Sequence, residues 1–237
     1  MIIGDGLIGG LLKKTGEFDS DEYIIVASGV SNSNCQDTSQ FIREVDLIDS
    51  LLSLQKKIIY FSTLSIYDQT KIASKYILHK IALEKKILET SATSIVLRLP
   101  NLIGIPQVLN NTMISFFFKS IFIHKKLILT ENPSRFVVVV DDLIPVLKKI
   151  LQNKALEGSS VNVFPLKQYD YVTLFTAVNS ALETVTPIIY KEGGYSYYLN
   201  YIDRFDWGDE LDKKYNNIDF LSDYISFRRQ LINQLFL

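Results

Sequence analysis

The chain has 237 residues, 25 basic and 26 acidic side chains and a formal net charge of −1, a length and composition that suit an ordinary folded domain with a sizeable core. Near-neutral charge leaves no electrostatic footprint for general nucleic-acid binding, and the longest apolar run, Met113–Ile123, is broken by Lys119 and Ser120 and too short to span a membrane. A single cysteine, Cys35, with two histidines, His79 and His124, offers neither an internal disulfide nor a zinc cluster, and no basic segment precedes the apolar residues of Met1–Gly10 as in a signal peptide. The expectation is a cytoplasmic α/β or α+β domain without a metal.

In chain order, Met1–Ile3 is a very short apolar strand, and Leu7–Lys14 reads as a helix opening directly off Gly4, Gly6, Gly9 and Gly10. Tyr23–Ala27 is a buried-strand run followed by a polar loop, Ser28–Asn34. From Asp37 to Leu54, Phe41, Val45, Ile48 and Leu52 recur at helical spacing, with Asp37 or Thr38 as N-cap. Lys57–Phe61 is a strand, Ser74–Glu89 a helix, and Ser94–Leu99 a strand ended by Pro100. Strands alternating with helices of this length predict βαβ units and a parallel sheet. Further on, the pattern predicts a helix over Asn110–Ile123, a strand over Arg135–Val140, and a helix over Asp141–Leu151 with Pro145 near its first turn. A strand over Ser160–Phe164 and a helix over Asp170–Leu182 follow. The tail ends in a helical pattern through Leu221, Ile225, Leu231 and Leu235. The natural division is a sheet domain to residue 105 and a mixed region over 106–237, of which 141–182 packs back on the sheet.

Gly4-Asp5-Gly6-Leu7-Ile8-Gly9 follows a strand and opens a helix, the setting in which G-x-G-x-x-G carries information. Gly4 allows the tight turn, Gly6 a close approach of pyrophosphate, and Gly9 close helix–sheet packing, with the phosphates facing the helix N-terminus. The alternative is a glycine-bearing turn without a ligand. An acidic residue is expected at the end of the next strand to hold the adenosine ribose, yet Tyr23–Ala27 leads into Ser28-Gly29-Val30-Ser31.

Tyr76 and Lys80 are four apart and share one helix face. An ammonium one turn away favours phenolate and so lowers the pKa of a tyrosine acting as general acid or base. A hydroxyl from a strand end, Thr63 or Ser62, is placed to orient a substrate oxygen. The alternative is an amphipathic helix with Tyr76 partly buried and Lys80 in solvent.

Six segments in order resemble the extended short-chain dehydrogenase/reductase family, the nucleotide-sugar epimerases, dehydratases and reductases, over roughly residues 1–165. They are the glycine turn Gly4–Gly9, the loop Ala27–Ser31, the strand and turn Phe61–Tyr67, the helix Ser74–Glu84, the strand end Leu97–Asn101 with Gly104, and Arg135–Leu143. The resemblance implies an α/β Rossmann-like parallel sheet flanked by helices, with a small mixed C-terminal substrate-binding region. It implies NAD or NADP against Gly4, Asp5, Gly6, Leu7, Ile8, Gly9, Ala27, Ser28, Gly29, Lys80 and Pro100. Tyr76 would exchange the proton, Lys80 would lower its pKa and hold the nicotinamide ribose, and Thr63 would bond the reacting oxygen. Ser65, Asn101 and Arg135 would contact a nucleotide-sugar substrate, and a homodimer is compatible with the family.

Departures from the family pattern are specific. Leu64 and Ser65 replace the acid pair of the family's dehydratases, which argues against 4,6-dehydration. Between Lys14 and Tyr23 there is no room for the second and third strands, so the sheet is abbreviated in its first half and the adenosine side more exposed. The segment from Tyr67 to Tyr76 is also short. The favoured reading is an NAD(P)-dependent reductase or epimerase acting on a nucleotide-linked sugar, with polysaccharide synthesis as the expected setting. Two others stand beside it: a non-catalytic sensor or partner protein that binds dinucleotide or nucleotide sugar, and an interaction domain using the aromatic segment Tyr195–Tyr201.

Overall fold

β1 (Ile2–Ile3) runs straight into the glycine turn, where Gly4 takes φ +110°, a conformation that strains any side chain. α1 (Leu7–Thr15) opens from that turn and stops at Gly16, a left-handed C-cap. A short link with Phe18 buried enters β2 (Tyr23–Val26). α2 (Thr38–Leu52) is capped by Asp37, whose carboxylate accepts from the Ser39 N–H at 2.9 Å. β3 (Lys57–Thr63) ends in a 3-10 turn, Leu64–Tyr67, and α3 (Lys75–Thr90) is capped by Ser74 before β4 (Ile95–Leu99). The structure is a computed structural model that describes residues 1–105, 112–130, 133–191, 199 and 203–236.

After Pro100 the elements shorten. β5 (Asn101–Ile103) is followed by α4 (Met113–Lys119), a π-helical turn (Ser120–His124), β6 (Leu127–Thr130), β7 (Ser134–Arg135) and β8 (Val137–Val139). α5 (Leu143–Gln152), β9 (Ser159–Asn162), β10 (Tyr169–Asp170), α6 (Tyr171–Ala181) and β11 (Ile188–Lys191) come next. α7 (Asp209–Tyr215), α8 (Asp219–Phe227) and α9 (Arg229–Phe236) complete the order.

Four expectations are corrected here. The strand read over Arg135–Val140 divides at Phe136, because Arg135 pairs with Tyr169 whereas Val137 pairs with Asn101. The helix read from Asp141 starts at Leu143, after a 3-10 turn over Val140–Asp142. The terminal helical pattern breaks at Arg228, between α8 and α9. The helix read over Asn110–Ile123 splits into α4 and the π-helical turn, and Asn110 itself lies outside the described residues.

The chain forms two units. The first comprises Met1–Pro100, Leu143–Val163 and Leu199–Phe205. It contains a five-stranded parallel sheet in the order β1-β2-β3-β4-β9. Ile24, Ile48, Ile58, Tyr60, Leu83, Ile87 and Val96 pack together on one face between the sheet and α2 and α3. Each aliphatic side chain buried this way contributes about 1.5–3 kcal/mol relative to exposure. The order runs one way from β1, which is therefore an edge. In a doubly wound sheet the ligand crevice lies where the order reverses; here one wall of that crevice is present, as the abbreviated first half predicts.

The second unit comprises Asn101–Asp142, Phe164–Tyr198 and Asp206–Leu237. Its strands pair two by two, β5 with β8, β6 with β11 and β7 with β10. Phe117 meets Tyr171 and Phe175 edge-on, with ring centroids at 5.8 and 5.3 Å. Tyr215 accepts from the Val139 N–H at 2.9 Å and donates to Asp142 at 2.5 Å, which ties α7 to the end of β8.

Candidate active site

The glycine turn is built by steric need. A Cβ on Gly4 would lie 2.3 Å from the Ala27 carbonyl oxygen, and one on Gly9 would lie 2.3 Å from the Gly4 oxygen and 3.3 Å from the Ala27 Cβ. Gly4, Gly9 and Ala27 thus interlock β1, α1 and the end of β2. Gly6 is the N-cap of α1, exposed and extended, and no side chain caps the helix. The first N–H groups of α1 are therefore available to an anion, reinforced by the helix dipole. Leu7 and Ile8 form the first turn and are half-buried, while Asp5 is exposed and paired with Lys13 at 2.6 Å. Arg43 on α2 donates to the Ser28 hydroxyl at 3.2 Å and to the Ser28 carbonyl at 2.9 Å, bringing a cation to the loop after β2. These residues fit a pyrophosphate. The strand end Val26–Ala27 carries no acid for a ribose, and among the described residues no strand stands beyond β1.

Thr63, at the carboxyl end of β3, caps the following 3-10 turn by accepting from the Ser65 N–H at 3.1 Å. Its side chain also acts on the Tyr76 phenol, favouring the phenolate. Tyr76 is 6% exposed and packs with Val30, Cys35, Phe41 and Ile77. Burial pushes its phenol above the ordinary tyrosine range; the Thr63 side chain opposes the shift and the Glu44 charge adds to it.

Burial thus holds the Tyr76 phenol above its ordinary range, where the sequence predicts a lowering, and Lys80 has close partners of its own. Lys80, 2% exposed, donates to Glu44 Oε1 at 2.9 Å and to the Tyr60 hydroxyl at 2.9 Å. Tyr60 in turn donates to Glu44 Oε1 at 2.8 Å. The second carboxylate oxygen takes the Val30 N–H at 2.7 Å and lies 2.9 Å from His79 Nε2. Burial alone would raise Glu44, but the His79 hydrogen bond, the Lys80 charge and the Val30 N–H hold it down at about 2. Gly29 closes over the pair, since a Cβ there would lie 2.5 Å from Glu44 Oε1 and 2.7 Å from Lys80 Nζ.

A second buried network fastens the carboxyl ends of the strands. Glu84, two turns beyond Tyr76, is hydrogen-bonded to Ser62 and receives Arg98 through Nη2 at 2.6 Å and Nε at 3.0 Å. Arg98 also donates to the Tyr67 hydroxyl at 2.8 Å, and Tyr67 donates to Asn162 at 3.1 Å. Ser65 is half-buried on the turn between these groups in sequence, and Pro100 is buried just after β4.

In the second unit, Asn101 donates from its backbone N–H and its Nδ2 to the Phe136 carbonyl at 3.2 and 3.4 Å. Arg135 is the residue before Phe136; its guanidinium donates to the Ser134 carbonyl at 2.8 Å and lies 5.7 Å from the Tyr171 ring centroid. Asn101 and Arg135 are thus neighbours through one residue. The segment Tyr195–Tyr201 lies outside the described residues apart from Leu199.

Sequence reasoning passed over Glu44, Tyr60, Glu84 and Arg98. Glu44 stands three residues after Phe41 and four before Ile48, on the apolar stripe of α2, and Glu84 continues the face of Tyr76 and Lys80. A carboxylate on a buried helix face must have partners, and that is the signal that marks both.

No protein-family profile and no curated protein sequence matches the chain. Solved structures do. An epimerase from Methanothermobacter thermautotrophicus matches with TM-score 0.68 and 13% identity, covering 98% of this chain and 79% of that one. UDP-glucuronic acid 4-epimerase from Bacillus cereus, in complex with a fluorinated UDP-glucuronic acid and NAD, matches with TM-score 0.68 and 14% identity over 90% and 76%. The enzyme RMD from Pseudomonas aeruginosa, complexed with NADPH, matches with TM-score 0.59 and 16% identity over 77% and 74%. The chain has the Rossmann-like α/β fold of these epimerase structures, and among the described residues its sheet ends at β1.

Proposed function

We propose that the chain binds NAD or NADP at the Gly4–Gly9 turn and acts as an oxidoreductase or epimerase on a nucleotide-linked sugar. The observation that carries this reading is that Thr63 acts on the buried Tyr76 phenol in the unit that also holds the uncapped glycine turn. Bound nicotinamide supplies or accepts hydride. Tyr76 Oη gives or takes the proton of the reacting oxygen, and the Thr63 hydroxyl orients that oxygen. Lys80 has two of its three N–H donors engaged by Glu44 and Tyr60, and the third is assigned to the nicotinamide ribose. Ala27, Ser28, Gly29 and Pro100 line the cofactor, with the Arg43 cation beside them. Ser65 is assigned to the substrate, and Asn101 and Arg135, neighbours within the second unit, form a pair suited to a diphosphate through the guanidinium fork. Leu64 and Ser65 offer no acid–base pair for water elimination, which favours reduction or epimerisation over 4,6-dehydration. Exposed Ile42 on α2 and Leu78 on α3, 56% and 55% accessible, support a homodimer through these helices.

A second reading is favoured by the burial of Tyr76 and Lys80 beneath Gly29 and Val30: a binding protein that keeps the turn and performs no chemistry. A thermal-shift panel of NADH, NADPH and UDP- and dTDP-linked sugars, followed by turnover assays with the stabilising pairs, separates the two. Stabilisation with turnover supports the enzyme, and stabilisation without turnover the binding protein. No stabilisation by any dinucleotide removes both.

A further inference from the structure

Glu44 belongs to none of the segments that carry the family resemblance, yet both its oxygens are committed inside the site. We propose that Glu44 is an internal counter-ion that cancels the charge of Lys80 and sets Tyr76 to deliver protons, so that the chain reduces a ketone in preference to oxidising an alcohol. This rests on the oxidoreductase reading above and gives it a direction.

The geometry of the pair carries the inference. Lys80 Nζ is 2.9 Å from Glu44 Oε1, both side chains are buried, and Tyr60 bonds to each of them. Lys80 Nζ is also 6.0 Å from the Tyr76 ring centroid, about twice its distance from the carboxylate oxygen. An ion pair this tight acts on a third group several ångströms away as a dipole, weaker than a lone ammonium. The groups that face Tyr76 and the pair are Glu44 from α2, Tyr60 and Thr63 from β3, Lys80 and His79 from α3, and Cys35 from the loop before α2. Lys80 carries the positive charge among them and Glu44 the compensating negative one. Burial and the Glu44 charge both keep the Tyr76 proton on its oxygen, in agreement with this arrangement.

In ketone reduction, a bound dihydronicotinamide would supply hydride to the carbonyl carbon and would itself be oxidised. The C–O π pair forms the new O–H bond with the proton of Tyr76 Oη. The phenolate left on Tyr76 is reprotonated from water. Alcohol oxidation requires Tyr76 as phenolate at the outset, the form that Glu44 disfavours.

The test follows the ionisation of Tyr76 by NMR of ring-labelled tyrosine in the cofactor-free protein, with the Tyr76 signal assigned through Tyr76→Phe. In the wild-type protein the Tyr76 phenol is expected to stay protonated to at least about pH 10, and in Glu44→Gln its ionisation is expected to move down by about one unit or more. Glu44→Asp keeps the charge and is expected to titrate like the wild type. The wild-type titration stands alone should Glu44→Gln fail to fold, and ionisation of Tyr76 below about pH 9 overturns the proposal. Coincident titrations of the wild type and Glu44→Gln overturn it too. With dinucleotide present and all reactants saturating, Glu44→Gln is expected to raise kcat for oxidation relative to kcat for reduction about tenfold at fixed pH, and an unchanged ratio of the two kcat values contradicts the assigned direction. An ionisation shift without any dinucleotide binding sinks the oxidoreductase reading and leaves the counter-ion intact.

Discussion

Glu44 occupies a position where α2 otherwise presents Phe41 and Ile48 to the core, and its partners make that burial stable. Its carboxyl is held at about 2 against an ordinary 4.5, so it contributes stability above pH 4.5 that is lost as the pH falls towards 2. That contribution is on the order of 3 kcal/mol. Denaturant titrations across this range should therefore show the wild type losing stability on acidification, with Glu44→Gln starting lower and declining less. Parallel declines would mean that Glu44 is not the group responsible. For Tyr76→Phe, turnover should fall by a factor of about 10²–10⁴ while dinucleotide affinity stays nearly unchanged; retained turnover would remove Tyr76 from the chemistry. At this scale the sequence is legible for Tyr76, Lys80 and Thr63, whose spacing and strand-end position single them out. It is less so for their charges, because the spacing of Tyr76 and Lys80 says nothing of a carboxylate on another helix.

The βα turn is the element that depends most on single atoms. Adding one methyl group at Gly9 places a carbon 2.3 Å from the Gly4 oxygen, backbone against backbone, which no side-chain rotation relieves. Gly9→Ala should cost about 2–4 kcal/mol in thermal or chemical unfolding, whereas Gly10→Ala, whose Cβ would meet the Asp5 oxygen at an ordinary 3.5 Å, should be well tolerated. Equal effects would show that α1 does not pack as described. The strands and helices up to residue 100 follow from periodicity and punctuation, because each strand contains an apolar run and α2 and α3 carry their own caps in Asp37 and Ser74. The later elements are less legible for a physical reason. Arg135–Val140 is one unbroken apolar run after its first residue, and its division at Phe136 is imposed by two different partners, Tyr169 and Asn101, remote in sequence.

At the scale of the molecule, the sheet ends at β1 among the described residues, and the link that leads from α1 directly to β2 supplies no strands to wall an adenosine. The length of the segment between Lys14 and Tyr23 makes this readable in advance, since about eight residues cannot form a βαβ unit. The adenosine half of a dinucleotide should then contribute little: reduced nicotinamide mononucleotide should bind within about tenfold of NADH, a difference of about 1.4 kcal/mol. A much larger gap would require an adenosine pocket elsewhere. The account as a whole depends on a dinucleotide meeting the Gly4–Gly9 turn. Calorimetric titration of the wild-type protein with NADH and NADPH tests that most directly. Saturable one-to-one binding of at least one of them, with a micromolar dissociation constant, is the predicted result, and the absence of binding heat for both at millimolar ligand would contradict it.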